Sequence, residues 1–202
     1  MAEKIKYGLS NVHYAVLTDE DNLTYDKPKP IKGAVNLSLS PEGDSSTFYA
    51  DNIAYFVTTL NNGFSGDLEM ALIPDEFLID VMGYHKDEET GLLVELASAL
   101  PKTIALLFQF ENDTNSRRVA MYNVIVGRPG TDHSTKTETL EPQTDTLPIT
   151  VTPVQIGEHT VTKATANKQD SSYSTFYDEV VLPSLEVVDI PEVEDPIIMP
   201  EA

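Results

Sequence analysis

Between Arg117 and Pro153 the chain spells a strand, a long polar excursion and a returning strand. Val119 to Val126 is rich in β-branched and aromatic side chains, which suit a pleated, half-buried surface. Gly127-Arg128-Pro129-Gly130 stops that run. Proline cannot donate to a ladder, and glycine enters turn conformations without steric cost. A Thr-rich polar stretch follows, after which Leu147, Ile149 and Val151 alternate with Thr146, Thr150 and Thr152. Such a segment predicts a scaffold that projects an arm near residues 130–145, with no reactive constellation in it.

The rest of the chain reads in the same way. Val35, Leu37 and Leu39 alternate with Asn36, Ser38 and Ser40, a half-buried strand with one uncharged polar face. Pro41-Glu42-Gly43 is expected to break it. Phe48 to Leu60 is β-branched and aromatic, Asn61-Asn62-Gly63 reads as a hairpin turn, and Leu68 to Ile73 as its returning partner. After Pro74, one helix is predicted over Asp75 to Met82, with Asp75 capping it and Phe77, Leu78, Val81 and Met82 on one face. Gly83 suits the left-handed position that ends it. His85 to Thr90 is a charged loop. Leu92 to Leu96 and Thr103 to Phe110 add two strands, giving about seven in all.

Beyond Lys168 the composition shifts, since residues 169–202 hold no Lys or Arg. Pro183, Pro191, Pro196 and Pro200 forbid long regular structure there. The expected organisation is a β domain over 1–168 and an acidic, proline-containing arm over 169–202. Within that arm Phe176, Tyr177, Val180, Val181 and Leu182 are the candidate contacts to a neighbouring subunit. Removing the chain from Phe176 onward should then impair assembly more than folding.

Composition narrows the function. A net charge of −20 opposes binding nucleic acid by phosphate neutralisation. It also keeps concentrated protein soluble. With no cysteine there is no disulfide, thiolate nucleophile or Cys-based metal site. No apolar run reaches 18 residues, so no membrane-spanning helix is expected, and MAEKIKYGLSN shows no secretory signal. Phosphate-loop, dinucleotide and zinc-protease motifs are missing. Gly63-Phe64-Ser65-Gly66-Asp67 falls one glycine short of a nucleophile elbow, and Asp19-Glu20-Asp21-Asn22 lacks the glycine of a calcium loop. His13, His85, His133 and His159 have no ligand spacing. The residues point to no enzyme, no cofactor and no metal.

Several segments carry a resemblance. Tyr122-Asn123 followed by Arg128-Pro129, then Thr135-Lys136-Thr137, Glu141-Pro142-Gln143-Thr144 and Leu147, form one ordered set. Upstream stand IKGAVNLSLSPEG, FYADN and ALIPDEFLIDVMGY. Together, over about Ile31 to Pro153, they resemble the major tail (tail tube) proteins of long-tailed siphophages of Gram-positive bacteria. The resemblance implies a virion structural subunit, made in the host cytoplasm, that forms hexameric rings stacked into a DNA-conducting tube. It further implies tape measure and tail terminator proteins as partners. The expected fold is mainly β (α+β): a β-sandwich or partial barrel with one short helix packed against it and extended arms.

In such a tube the lumen needs a polar wall without clustered cations, because each Lys facing a phosphate would create a sticking point. The candidate lumen-facing residues are Asn36, Ser38 and Ser40 on one strand and Asp145, Thr146, Thr150 and Thr152 on another. The alternative function is a virion or cell-surface β-sandwich that binds carbohydrate or protein, which calls for an exposed aromatic cluster or a calcium site.

Overall fold

The computed structural model describes residues 8–50, 52–111, 116–130 and 143–185. The arm expected near 130–145 lies mostly outside these residues, as does the end of the acidic segment beyond residue 185. In chain order the strands are β1 (Leu9–Asp19), β2 (Thr24–Tyr25), β3 (Lys29–Pro30), β4 (Ala34–Glu42), β5 (Ser45–Ala50), β6 (Ile53–Thr59) and β7 (Gly63–Met70). The helix α1 (Asp75–Asp80) follows. Then come β8 (His85–Lys86), β9 (Leu93–Val94), β10 (Ile104–Phe110), β11 (Arg118–Val126), β12 (Asp145–Val151), β13 (Val154–Ile156), β14 (His159–Val161) and β15 (Lys163–Ala166). The protein is mainly β, with one short α-helix among the described residues.

A nine-stranded antiparallel sheet runs β2-β1-β10-β11-β12-β7-β4, with β3 beside β1 and β15 beside β11. It curls around a core in which Val12, Tyr14, Leu106, Met121, Leu147 and Val151 are buried. The period of two explains this inner face, since alternate residues of each strand turn to the same side. Gly66 permits the close pairing of β7 with β4, because a Cβ there would stand 1.9 Å from the Ser38 carbonyl oxygen.

The helix closes one end of the core. Phe77 and Val81 are buried, and Phe77 meets the Tyr14 ring edge-on at 5.0 Å between centroids. Asp80 anchors it, accepting from the Tyr14 hydroxyl at 2.8 Å and from Lys29 Nζ at 2.6 Å. Burial alone would raise the Asp80 carboxyl, but the hydrogen bonds from Lys29 and Tyr14 hold it below its ordinary value. The residue before the helix is Pro74, and no side chain caps the first turn, so Asp75 does not play the expected capping role. Gly83 has the expected positive φ of 72°.

Three expectations change. The strand β4 continues through Pro41 to Glu42, because among the described residues its outer edge is unpaired and a missing donor costs nothing there. Residues 61–63 are not the hairpin turn. β6 pairs with β5, whereas β7 pairs with β4 and β12, so the chain forms one long hairpin whose last described pair is Ala50 with Ile53. It bends at Gly63, where φ is 109° and any Cβ would strike the Val151 carbonyl. Leu92 to Leu96 yields only the two-residue β9, paired with β8 in a small hairpin.

Candidate functional site

Registry places the polar residues of β4 and β12 on one continuous wall, with β7 between them. Asn36, Glu69 and Thr146 form one row across the three strands; Ser38, Asp67 and Pro148 form the next. Ser40, Ser65 and Thr150 form a third. The opposite parity carries Leu37, Leu68 and Leu147 toward the core. Neither Lys nor Arg occurs on β4, β7 or β12. Thr144 Oγ1 donates to Glu69 Oε1 at 2.6 Å, and Ser65 Oγ donates to Glu42, which fixes two acids along the wall.

Of the seven candidate wall residues, Asn36, Ser38, Ser40, Thr146 and Thr150 come together on this surface. Thr152 lies just past the end of β12, where its Oγ1 accepts from Asn123 Nδ2 at 2.8 Å. Asp145 belongs to the other face. It is paired with the buried Met70 and shares parity with Leu147, so the two-residue period turns it away from Thr146. Ser65 and Asp67 fall outside the strand expected over Leu68 to Ile73, because Asn61-Asn62-Gly63 reads as a turn, and Glu69 falls inside it without its facing neighbours. Their alternation with Phe64, Leu68 and Met70 is the signal that identifies them.

The same outer face is covered farther along the sheet. Over β1, β10, β11 and β15 lies a second apolar cluster that includes Ala15, Leu107, Tyr122 and Phe176. Phe176 is 3% exposed, and Tyr177, Val180 and Leu182 pack around it. Arg118 holds this segment, its guanidinium carbon 3.7 Å from the Tyr173 ring centroid and 4.7 Å from that of Tyr177. It also donates to the Tyr173 carbonyl. The Tyr177 ring stacks on His13 at 4.4 Å. The Tyr122 hydroxyl donates to the Val181 carbonyl at 2.9 Å, and that of Tyr25 to the Tyr122 carbonyl at 2.7 Å. Burial pushes Tyr25 up to about 12 and raises Tyr122 further. The placement of Phe176, Tyr177, Val180, Val181 and Leu182 therefore differs from an arm reaching away from its domain. Apolar side chains at this spacing find a complementary face on their own sheet.

A third surface is apolar and bare. On the β5–β6 hairpin Phe48 is 62% and Tyr55 73% exposed, and Tyr49 and Phe56 are exposed beside them. Near its base, the end of the core away from α1 opens into a groove of about 420 Å³. Leu39, Phe64, Phe108 and Met121 line it together with Arg117, Lys163 and the wall residue Asn36. Among the described residues, no group of three or more His, Cys, Asp or Glu is placed to hold a metal ion.

No family model and no curated protein matches this sequence. Among solved structures, the cryo-EM structure of the anti-feeding prophage cap (AFP tube terminating cap) aligns with 83% of this chain and 95% of that one. The identity is 7% and the TM-score 0.40.

Proposed function

We propose that this chain is a non-catalytic structural subunit of a phage tail tube, forming six-membered rings that stack around a DNA-conducting lumen. The observation that carries the reading is the cation-free polar wall of β4, β7 and β12. Its hydroxyls, amides and acids offer no counterion-releasing contact to a passing phosphate backbone. The siphophage tail-tube resemblance over Ile31 to Pro153 points the same way and names tape measure and terminator proteins as expected partners within the virion. The outer edge of β4, unpaired among the described residues, supplies backbone groups for a neighbour, and joining such edges around a ring removes them from solvent.

Assembly is expected to depend on salt. Six copies at −20 carry −120 (6 × −20), and raising ionic strength from 0.01 M to 1 M shrinks the screening length from about 30 Å to about 3 Å. Purified protein imaged by negative stain should pass from subunits to rings or tubes as salt and concentration rise. Dispersed monomer at millimolar concentration and 1 M salt would sink the reading.

The exposed aromatic rings of the hairpin favour a second reading, a β-sandwich module that binds carbohydrate or protein. Glycan-array binding by a protein that never assembles would select it.

A further inference from the structure

The β5–β6 hairpin has no packing partner among the described residues, yet a two-stranded hairpin alone is marginal in water. Consecutive pairs, Phe48-Tyr49 and Tyr55-Phe56, expose rings on both of its faces. Each ring carries about 150–250 Å², so several hundred Å² of aromatic surface stands bare. Divided between the two faces, it leaves an exposed aromatic pair on each, the kind of apolar surface that marks an interaction site. Charge is equally one-sided. From Gly33 to Tyr84 there is no Lys or Arg, and Glu42 and Asp44 stand just ahead of the hairpin.

The groove is its complement. Its lining joins the apolar Leu39, Phe64, Phe108 and Met121 to the cations Arg117 and Lys163, with Lys163 Nζ 4.8 Å from the Phe64 ring centroid. We infer that the hairpin of one copy docks into this groove on the copy beside it. The inference rests on the tube reading and deepens it by naming both partner surfaces. Hairpin and groove lie at the same end of the core, the end at which β7 begins and β10 finishes. Copies joined this way stand side by side at one level. A head-to-tail contact of that kind closes by rotation into a ring, whereas surfaces at opposite ends would stack.

The absence of native cysteine makes the test direct. Tyr55→Cys and Thr165→Cys are both at exposed sites, on the hairpin and on the groove lining. Mixed under oxidising conditions at assembling salt, they should give a cross-linked dimer in several-fold excess over either variant alone. One chain carrying both changes should ladder to six. Arg117→Glu with Lys163→Glu should reduce the cross-link at least tenfold while the melting transition persists. Rings without the cross-link would overturn the docking and leave the tube reading standing. A ladder that stops at two would mean reciprocal exchange and overturn side-by-side docking. An intrachain bond between Lys6→Cys and Thr165→Cys would put the N-terminal segment in the groove, also overturning it. Neither assembly nor cross-link at any salt would overturn both readings.

Discussion

Over β1, β10 and β11 the outer face of the sheet carries Ala15, Ala105, Leu107 and Ala120, and the rings of Phe176 and Tyr177 lie on top. Over β4 and β7 the same face carries Asn36, Ser38, Asp67 and Glu69, and no described residue packs over it as an apolar layer. One sheet face thus meets two fates, decided by the side chains at one parity. Small apolar residues leave a shallow surface that a neighbouring segment can fill with rings, so water leaves. Polar residues keep their hydration, and covering them without matched partners would cost free energy.

The sharpest way to break this contrast is Phe176→Ala, which empties the covered half. It should cost about 3–5 kcal/mol, read as a lower denaturant midpoint with the slope preserved. Removing the chain from Phe176 onward should unfold the domain or nearly so, the reverse of what an arm serving only a neighbour would do. Removing Glu192 to Ala202 should leave the midpoint unchanged.

Beneath the bare half, Gly66→Ala should cost about 1–3 kcal/mol by forcing β4 off β7, and hydrogen exchange should rise first in Ala34 to Glu42. Arg118→Ala loses the stacking on Tyr173 and Tyr177 and a carbonyl contact. About 1 kcal/mol is expected, with faster proteolysis after Lys168 as the readout.

Acid should act at the helix end of the core. The Asp80 carboxyl titrates lower in the folded protein than in the unfolded chain, so its contribution is present above about pH 4 and disappears as pH falls through the folded value. Asp80→Asn should flatten the melting temperature below that pH while lowering it at neutrality.

The smallest stability effect belongs to the wall. Ser38→Lys with Thr150→Lys should change the midpoint by no more than about 0.5 kcal/mol per site, since both positions are exposed. Tubes should still form, and DNA ejection from virions carrying both should slow. Normal ejection would show that these faces do not meet DNA.

The wall was legible in part because alternation is a local signal. Asn36, Ser38 and Ser40 declare their parity without any partner. Asp145 shares its parity with Leu147, and its charge alone does not reveal that it turns to the other face. Pairing was less legible than strand identity. The aromatic run ending at Leu60 and the run around Leu68 are adjacent in sequence, yet each takes a different partner, and the bend at Gly63 that separates them needs a contact with Val151 to be seen. The strand β1 escaped notice although Val12, Tyr14 and Val16 alternate. Phe176 reads as a contact to a neighbouring subunit for a comparable reason: its place on the sheet is assembled from Ala15, Ala105 and Ala120, residues unremarkable until the sheet brings them together.

The pairing of Leu9 with Phe110 sets a clock on folding. The first strand must wait for about a hundred further residues, which at roughly 5–20 residues per second takes about 5–20 s of synthesis. The β4–β7 hairpin and its aromatic tip need only local contacts and can form well before that, since nearby pairings close faster than distant ones. For those seconds a nascent chain displays sticky rings with no closed barrel behind them. High-level expression should therefore be limited by aggregation on the ribosome-bound or newly released chain, and slowing initiation or lowering temperature should raise yield more than any buffer applied after lysis.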